Sequence, residues 1–261
     1  MQLNSRFLVC TGLVLAGLAL ANMAASAAEL AVKASERTWL GYIATGDEGV
    51  DQVTRAGLEG LLKVLSRRTA VDTGGVAALD VESDELSFFP LLYWVVTSSQ
   101  PALSSLARAR VNSYLRHGGT VLFDTRDARS GGDSAALALR GLTEGLELPA
   151  LTPVPADHVL TRAFYLLKEF PGRTRNGEVW VEASEERRLD GVSSIIIGGN
   201  DWAGAWAMDA DGRPLSAAVP GGERQREIAY RFGVNVVMYA LTGNYKADQV
   251  HVPAILQRIG R

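Results

Sequence analysis

The sequence predicts an α/β fold in three layers, with a mostly parallel sheet between two layers of helices. Two observations support this. Short apolar runs rich in β-forming residues recur along the chain, and most are followed by a segment with apolar residues three and four positions apart. Strands that alternate with helices form βαβ units, whose right-handed crossovers cover both faces of a sheet. We find no repeat or low-complexity linker, so residues 28–261 are predicted to be one domain.

The first residues form a separate unit. Arg6 precedes an apolar run over 7–21, and small residues around Ala27 suit a cleavage site, as in a secretory signal peptide. The sequence therefore predicts a signal peptide over 1–27 and a periplasmic mature domain. An inner-membrane anchor through 7–21 is the alternative, although that run is shorter than the roughly 20 residues that span a bilayer. Cleavage would remove Cys10, the single cysteine of the chain, and with it any thiol nucleophile.

The first βα unit follows. The run TWLGYI at 38–43 predicts a strand, and the loop TGDEG leads into a helix within 51–69. The acidic residues Asp47, Glu48 and Asp51 favour the positive N-terminal end of that helix. Its apolar face consists of Val53, Leu58, Leu61, Leu62 and Leu65.

The second unit has the same pattern. The continuous apolar run at 91–96 is typical of a strand buried on both faces of a parallel sheet. The segment 98–101 is predicted to open a helix that extends to His117, and the glycine pair 118–119 is predicted to end it.

The remaining elements are predicted in the same way. Strands are expected at 120–124 and 194–199, and helices at 134–148 and 226–243. The segment 149–190 contains four prolines and is predicted to be an irregular excursion. Alternation around an Asp-Gly pair predicts a hairpin near 205–217 at the edge of the sheet.

Parallel α/β sheets bind ligands outside the carboxyl ends of their strands. Polar residues follow the predicted strands and precede the last helix, and these are the candidate ligand-binding residues. Helix capping would also explain Asp47 and Ser98, and core packing would also explain Trp202 and Trp206. The set comprises Thr45, Asp47, Ser98, Asp124, Arg126, Asn200, Asp201, Trp202, Glu223 and Arg224.

No strong catalytic motif is present. The sequence lacks a G-x-S-x-G elbow, a Walker loop, a G-x-G-x-x-G after a strand, and H-E-x-x-H. If the protein is an enzyme, the candidate catalytic residues are Asp124, Asp127, His158 and Asp201. No metal ion or cofactor is predicted. The net charge of -3 gives no reason to expect nucleic-acid binding.

Four segments together resemble a bacterial family, the domain-of-unknown-function family 4159. They are GGTVLFDTRD, PADHVLTRAFYLL with the later FPGR, GGNDWAGAWAMD, and the long block at 220–253. The resemblance covers about residues 30–258. It implies a flavodoxin-like sheet of the class I glutamine amidotransferase-like type. Because a mature chain without cysteine lacks the nucleophile of those enzymes, glutamine hydrolysis by that route is excluded.

The resemblance also implies possible partners. Members of the family commonly form the C-terminal part of larger membrane proteins with an aerotolerance-type N-terminal region, encoded near a MoxR-type ATPase. Envelope proteins linked to that ATPase and to aerotolerance-type membrane proteins are therefore the expected partners.

Taken together, the residues predict an exported, non-catalytic domain that binds a protein partner or a small ligand at the rim of the sheet. One alternative is a cysteine-independent hydrolase, with or without a metal ion. The other is a carbohydrate or cell-wall binding module that uses exposed Trp202 and Trp206 as stacking surfaces.

Overall fold

The computed structural model describes residues 30, 32–127, 133–183 and 193–259. Residues 243–259 are described only as helical backbone. The predicted signal peptide at 1–27 lies outside the described residues. Among those residues, one sheet contains the strands β1 (Thr38–Ile43), β2 (Thr73–Leu79), β3 (Leu91–Val95), β4 (Thr120–Asp124), β5 (Leu151–Pro153), β6 (Trp180–Glu182) and β7 (Ile195–Gly198).

The strands are arranged in the order β2-β1-β3-β4-β7-β6-β5. The pairs β1–β2, β1–β3, β3–β4 and β4–β7 are parallel, whereas β6 is antiparallel to both β7 and β5. The predicted mostly parallel sheet is therefore confirmed. The order in which successive strands join the sheet reverses at β1, because β2 lies on one side of β1 and β3 lies on the other. Ligands bind at such a switch point in doubly wound sheets.

The helices begin at polar caps. The carboxylate of Asp47 accepts the backbone N–H groups of Gly49 and Val50 at the start of the first helix. Ser104 caps the second, so the prediction that 98–101 opens this helix was wrong. The helices are α1 (Glu48–Arg68), α2 (Ser105–Arg116), α3 (Asp133–Thr143), α4 (Trp202–Trp206) and α5 (Gly222–Ile259).

The sheet separates two apolar layers, which confirms the three-layer prediction. On one face, α1, α4 and α5 pack on β-strand side chains such as Tyr93 and Leu122. On the other, α2 and α3 pack on the alternate side chains, including Trp94 and Phe123, whose rings stack with centroids 5.5 Å apart. Adjacent residues of β3 thus point into different layers, as the two-residue period of a strand requires.

Two parts of the prediction need correction. The segment 149–190 includes the short strands β5 and β6, which extend the sheet beyond β7. The residues near 205–217 do form a turn around Gly212, whose φ is 78°, with a single antiparallel bridge between Met208 and Pro214. This turn is not at the sheet edge, because β2 and β5 occupy the two edges.

The helix α4 lies against α1 with almost no space between the backbones. A Cβ atom built on Gly57 would lie 2.4 Å from the carbonyl oxygen of Ala203, and one on Gly60 would lie 2.1 Å from that of Trp206. Glycine is therefore needed on this face of α1, where it lets α4 approach and fixes its position at the end of β7.

Candidate functional site

The carboxyl ends of β1, β3, β4 and β7 converge on one polar cleft of about 450 Å³. The cleft spans the switch point between β1 and β3. Hydroxyl, carboxylate and guanidinium groups dominate its walls. The lining residues are Asp47, Val96, Thr97, Ser98, Ser99, Thr125, Arg126, Asp127, Ser134, Ala135, Ala138, Arg173 and Asp201.

Five of the predicted site residues lie in this lining: Asp47, Ser98, Arg126, Asp127 and Asp201. Asp47, Ser98 and Asp201 each follow a different strand, and Arg126 and Asp127 both follow β4, as the topology of a parallel sheet predicts. The structure thus brings together the loops that follow β1, β3, β4 and β7.

Thr45 lies at the base of the first of these loops. Its backbone N–H and its hydroxyl group both donate to the Asp51 carboxylate, at 2.9 and 2.8 Å. The hydroxyl also accepts the N–H of Asp47, at 3.1 Å. Thr45 therefore shapes the loop that positions Asp47 and does not itself line the cleft.

Asp124 lies beneath the cleft and is fully buried. Its carboxylate accepts the backbone N–H groups of Arg126, Asp201 and Trp202 at 3.1, 3.2 and 2.8 Å, and a hydrogen bond from the Tyr93 hydroxyl. Asp124 was a candidate ligand-binding and catalytic residue, but protein donors surround its carboxylate, its exposed fraction is 0 %, and it does not line the cleft. Asp124 instead ties the loop after β4 to the loop after β7.

The environment of Asp124 favours its protonated form. Burial, and then the negative charge of Asp201, raise the pKa of Asp124 to about 7, although the hydrogen bonds from Tyr93, Trp202 and Arg126 oppose this shift. The same burial and the neighbouring carboxylate raise the pKa of Tyr93. A perturbed carboxyl group is common in active sites, but here the group is inaccessible and serves the structure of the rim.

Two rim residues have backbone conformations in the left-handed region. Arg126 has a φ of 54° and Asp201 a φ of 55°. This conformation costs energy for residues other than glycine, and in both cases the backbone N–H is held by Asp124. The side chain of Asp201 caps α4 through the N–H of Gly204 and forms an ion pair with Arg173.

Arg173 is a cleft residue that the sequence analysis missed. It lies in the irregular segment 149–190, which returns to the rim through backbone hydrogen bonds. The N–H of Arg173 donates to the carbonyl of Asp201 and the N–H of Thr174 to that of Asn200, both at 3.0 Å. Only the FPGR stretch, quoted for the family resemblance, contained a signal for this residue.

His158, a candidate catalytic residue if the protein is an enzyme, lies outside the cleft lining and apart from Asp201. Its side chain is 2 % exposed. The Nδ1 atom accepts the N–H of Leu160 at 3.2 Å and caps the 3₁₀ helix Val159–Thr161. The imidazole packs against Tyr239 of α5, with ring centroids 5.7 Å apart.

The predicted aromatic platform is also buried. Trp202 and Trp206 are 0 % and 1 % exposed, and their indole N–H groups donate to the carbonyls of Phe170 and Ala229. Because neither ring reaches solvent, these residues cannot stack on a sugar, and their role in packing is the correct interpretation.

The other predicted residues have structural or separate positions. Asn200 is buried, and its side-chain amide bonds the backbone of Phe170 and Gly177. Glu223 is exposed and pairs with Arg226 of the same helix. Arg224 lines a different depression, together with Glu169 and Arg175. These three residues are therefore not part of the cleft.

The cleft offers hydrogen bonds and charge without an evident catalytic pair. Its lining includes no histidine, and the hydroxyl of Ser99 lies 3.0 Å from that of Thr97. Across the described ranges, no group of three or more His, Cys, Asp or Glu side chains is placed to hold a metal ion. The arrangement suits recognition of a hydrophilic molecule. Within the same ranges, no helix has both the length and the apolar character needed to cross a membrane.

The sequence model of one family, Domain of unknown function (DUF4159), matches residues 39–241. The match covers well over half of the chain and includes every loop that contributes to the cleft. No curated protein matches the chain.

Proposed function

We propose that the α/β domain of this chain, which belongs to the Domain of unknown function (DUF4159) family, is a non-catalytic binding domain. It takes a small hydrophilic ligand in the cleft at the carboxyl ends of β1, β3, β4 and β7. The family description assigns no activity, so the proposal depends on the geometry of the site.

The observation that carries this proposal is the convergence of four strand ends, together with Arg173, on one concave polar surface. A buried carboxylate, Asp124, holds two of the loops in a strained conformation at the same point. Strain of this kind persists only where the surrounding structure over-determines it, and it clusters at binding and active sites. A concave site favours a small ligand over the flat surface of a protein partner.

The side chains of the cleft also support binding over catalysis. Nucleophilic catalysis by a serine or a cysteine requires a base beside the hydroxyl or thiol group. The chain has its single cysteine at position 10, and Ser98 and Ser99 share the lining with no histidine. The buried Asp124 is separated from the cleft by the backbone that it binds.

The compartment is a further part of the proposal. The pattern at 1–27 supports export and a site of action in the periplasm, among envelope proteins linked to a MoxR-type ATPase and aerotolerance-type membrane proteins. Sequencing the N-terminus of the protein from the envelope fraction tests export. A chain that begins near residue 28 supports it, and one that begins at Met1 contradicts it.

Thermal unfolding in the presence of a panel of small hydrophilic molecules tests the binding site. A ligand at 100 times its Kd stabilises the folded state by roughly 2.7 kcal/mol, which such an assay detects. Ser98→Trp places a large ring in the cleft and should abolish the effect. Ser66→Trp, on the exposed side of α1, is the matched control and should preserve it. Stabilisation that survives Ser98→Trp, or silence across the panel, would contradict the proposal.

A further inference from the structure

We infer that the ligand of the cleft carries an anionic group, a carboxylate or a phosphate, which the guanidinium groups of Arg126 and Arg173 bind. This inference rests on the proposed function and specifies its ligand class. Both arginines line the cleft, and they come from distant parts of the chain.

The carboxylates of the cleft are already engaged by the protein. Asp201 pairs with Arg173 and caps α4. Asp47 accepts the N–H groups of Gly49 and Val50, and Asp127 accepts the hydroxyl hydrogen of Thr125. Asp47 and Asp127 thus accept hydrogen bonds from groups other than the two arginines, and Asp201 engages only the Nε atom of Arg173.

Arg126 has donor capacity that the protein does not use. Its Nε atom is buried and has no hydrogen-bond partner among the described residues. The side chain as a whole is only partly buried, so its terminal nitrogens can bind a ligand oxygen in the cleft. The backbone N–H of Arg126 is held by the Asp124 carboxylate at 3.1 Å, which fixes the point from which the side chain extends.

Arg173 is held equally firmly and remains accessible. Its backbone N–H donates to Asp201 at 3.0 Å, and its carbonyl accepts the N–H of Val219 at 2.8 Å. Its Nε atom pairs with Asp201, while 32 % of the side chain is exposed. The terminal nitrogens have no hydrogen bond to any described residue, which leaves them able to bind an anion from the cleft side.

The neighbouring groups complete the recognition. The hydroxyl groups of Ser98 and Ser99 line the same cleft and can donate to an oxyanion. The planar fork of a guanidinium matches both carboxylate and phosphate, and such charge-assisted bonds are roughly twice as strong as neutral ones. The two guanidinium groups and these hydroxyls can therefore hold the oxygens of one anionic group.

Isothermal titration with inorganic phosphate and, separately, with citrate tests this inference when chloride keeps the ionic strength constant. We expect saturable binding of at least one anion to the wild-type protein. Arg126→Gln and Arg173→Gln should each weaken it by tenfold or more, whereas Arg224→Gln, at an exposed position outside the cleft, should leave it unchanged. Binding of phosphate alone indicates a phosphorylated ligand, and binding of citrate alone indicates a carboxylate.

The variants differ in their structural risk. Arg173→Gln removes the ion pair with Asp201 and can lower stability, so the unfolding of each variant is measured in parallel. Arg126→Gln removes a side chain that bonds no described residue, and it keeps the test decisive if Arg173→Gln fails to fold.

Two results would overturn the inference. The first is that neither anion binds. The second is that binding is equal in Arg126→Gln and wild type. If neutral hydrophilic molecules then bind and Ser98→Trp blocks them, the proposed binding function stands and only the ligand class is wrong. If neutral molecules also fail to bind, both proposals are wrong.

Discussion

The hydroxyl group of Tyr93 donates a hydrogen bond to the buried carboxylate of Asp124 and joins β3 to β4 beneath the cleft. The same hydroxyl oxygen accepts the backbone N–H of Ala203, at 3.0 Å, in the first turn of α4. One phenol therefore links the floor of the cleft to the helix that follows Asp201.

Removal of this hydroxyl should be costly. Tyr93→Phe leaves the Asp124 carboxylate without one donor and the Ala203 N–H without its acceptor, and we expect a loss of roughly 2–4 kcal/mol in the free energy of unfolding. Tyr230→Phe removes a single bond to the carbonyl of Trp206, and should cost about 1 kcal/mol. Urea unfolding measures both, and equal losses would show that the Tyr93–Asp124 bond has no special weight.

The carboxyl group of Asp124 should titrate far from its ordinary range. Its pKa in the folded state is about 7, above the ordinary value of 3.8, because burial and Asp201 disfavour the charge. The folded state thus binds this proton more tightly than the unfolded state. The contribution of Asp124 to stability is fully present below about pH 4 and is lost as the pH rises through about 7.

Carbon NMR of the aspartate carboxyl groups measures this pKa directly. Comparison of the wild-type protein with Asp124→Asn gives the same information from stability. Between pH 4 and pH 7, the free energy of unfolding of the wild-type protein should fall relative to that of Asp124→Asn. The titrations of Asp72 and Glu227 occur in both proteins and cancel in this difference. Their pKa values are lowered by ion pairs with Arg37 and Arg68. An Asp124 carboxyl that titrates near pH 4 would contradict the prediction.

The close contact between α1 and α4 should not tolerate a methyl group. Gly57→Ala and Gly60→Ala place a Cβ atom against backbone oxygens at 2.4 and 2.1 Å, and each should destabilise the fold by roughly 1–3 kcal/mol. Gly141→Ala in α3 meets nothing within 4 Å. It should instead stabilise by up to about 1 kcal/mol, because alanine favours a helix more than glycine does. Thermal unfolding distinguishes the two signs, and a neutral Gly60→Ala would mean that α4 can move away.

Asn235 should hold the excursion segment on α5. Its amide donates to the carbonyls of Leu160 and Tyr165, and its oxygen accepts the N–H groups of Phe164 and Tyr165. Asn235→Leu should cost about 2–4 kcal/mol, because these buried groups lose their partners. Hydrogen exchange should accelerate at 160–165. Asn112→Leu should act at 145–147 instead, where Asn112 bonds Gly145 and Glu147. Exchange that accelerates uniformly in both variants would argue against a local clamp.

The elements that sequence reasoning found are those with a strong local pattern. The strands β1, β3, β4 and β7 are apolar runs buried on both faces, which few other structures tolerate. The strand β2 was missed because Thr73, Gly74 and Gly75 give no strand signal. The indole of Trp39 packs over these glycines, leaving no room for a Cβ atom, so their suitability depends on a contact distant in sequence.

The same reasoning applies to the site. The loops that end in Asp47, Ser98, Arg126 and Asp201 were found because parallel topology brings strand ends together. No strand or helix pattern predicts Arg173, since tertiary contacts with Asn200, Asp201 and Gln225 bring its segment to the rim. His158 was a candidate catalytic residue because polar residues lie near it in the sequence, but its side chain packs against α5.

The helix α5 runs from the cleft end of the sheet to the opposite end. Its first turn lies near Arg173 at the cleft end of the sheet, because Gln225 bonds the carbonyls of Gly172 and Arg173. Leu241 lies about 24 Å beyond Gln225 along the helix, beside Arg37 and Thr38 at the opposite end. The start of β1 and the part of α5 beyond Leu241 therefore lie at the same end of the molecule, opposite the cleft. Attachment through either end would leave the mouth of the cleft pointing away from the point of attachment, open to molecules that arrive from the far side.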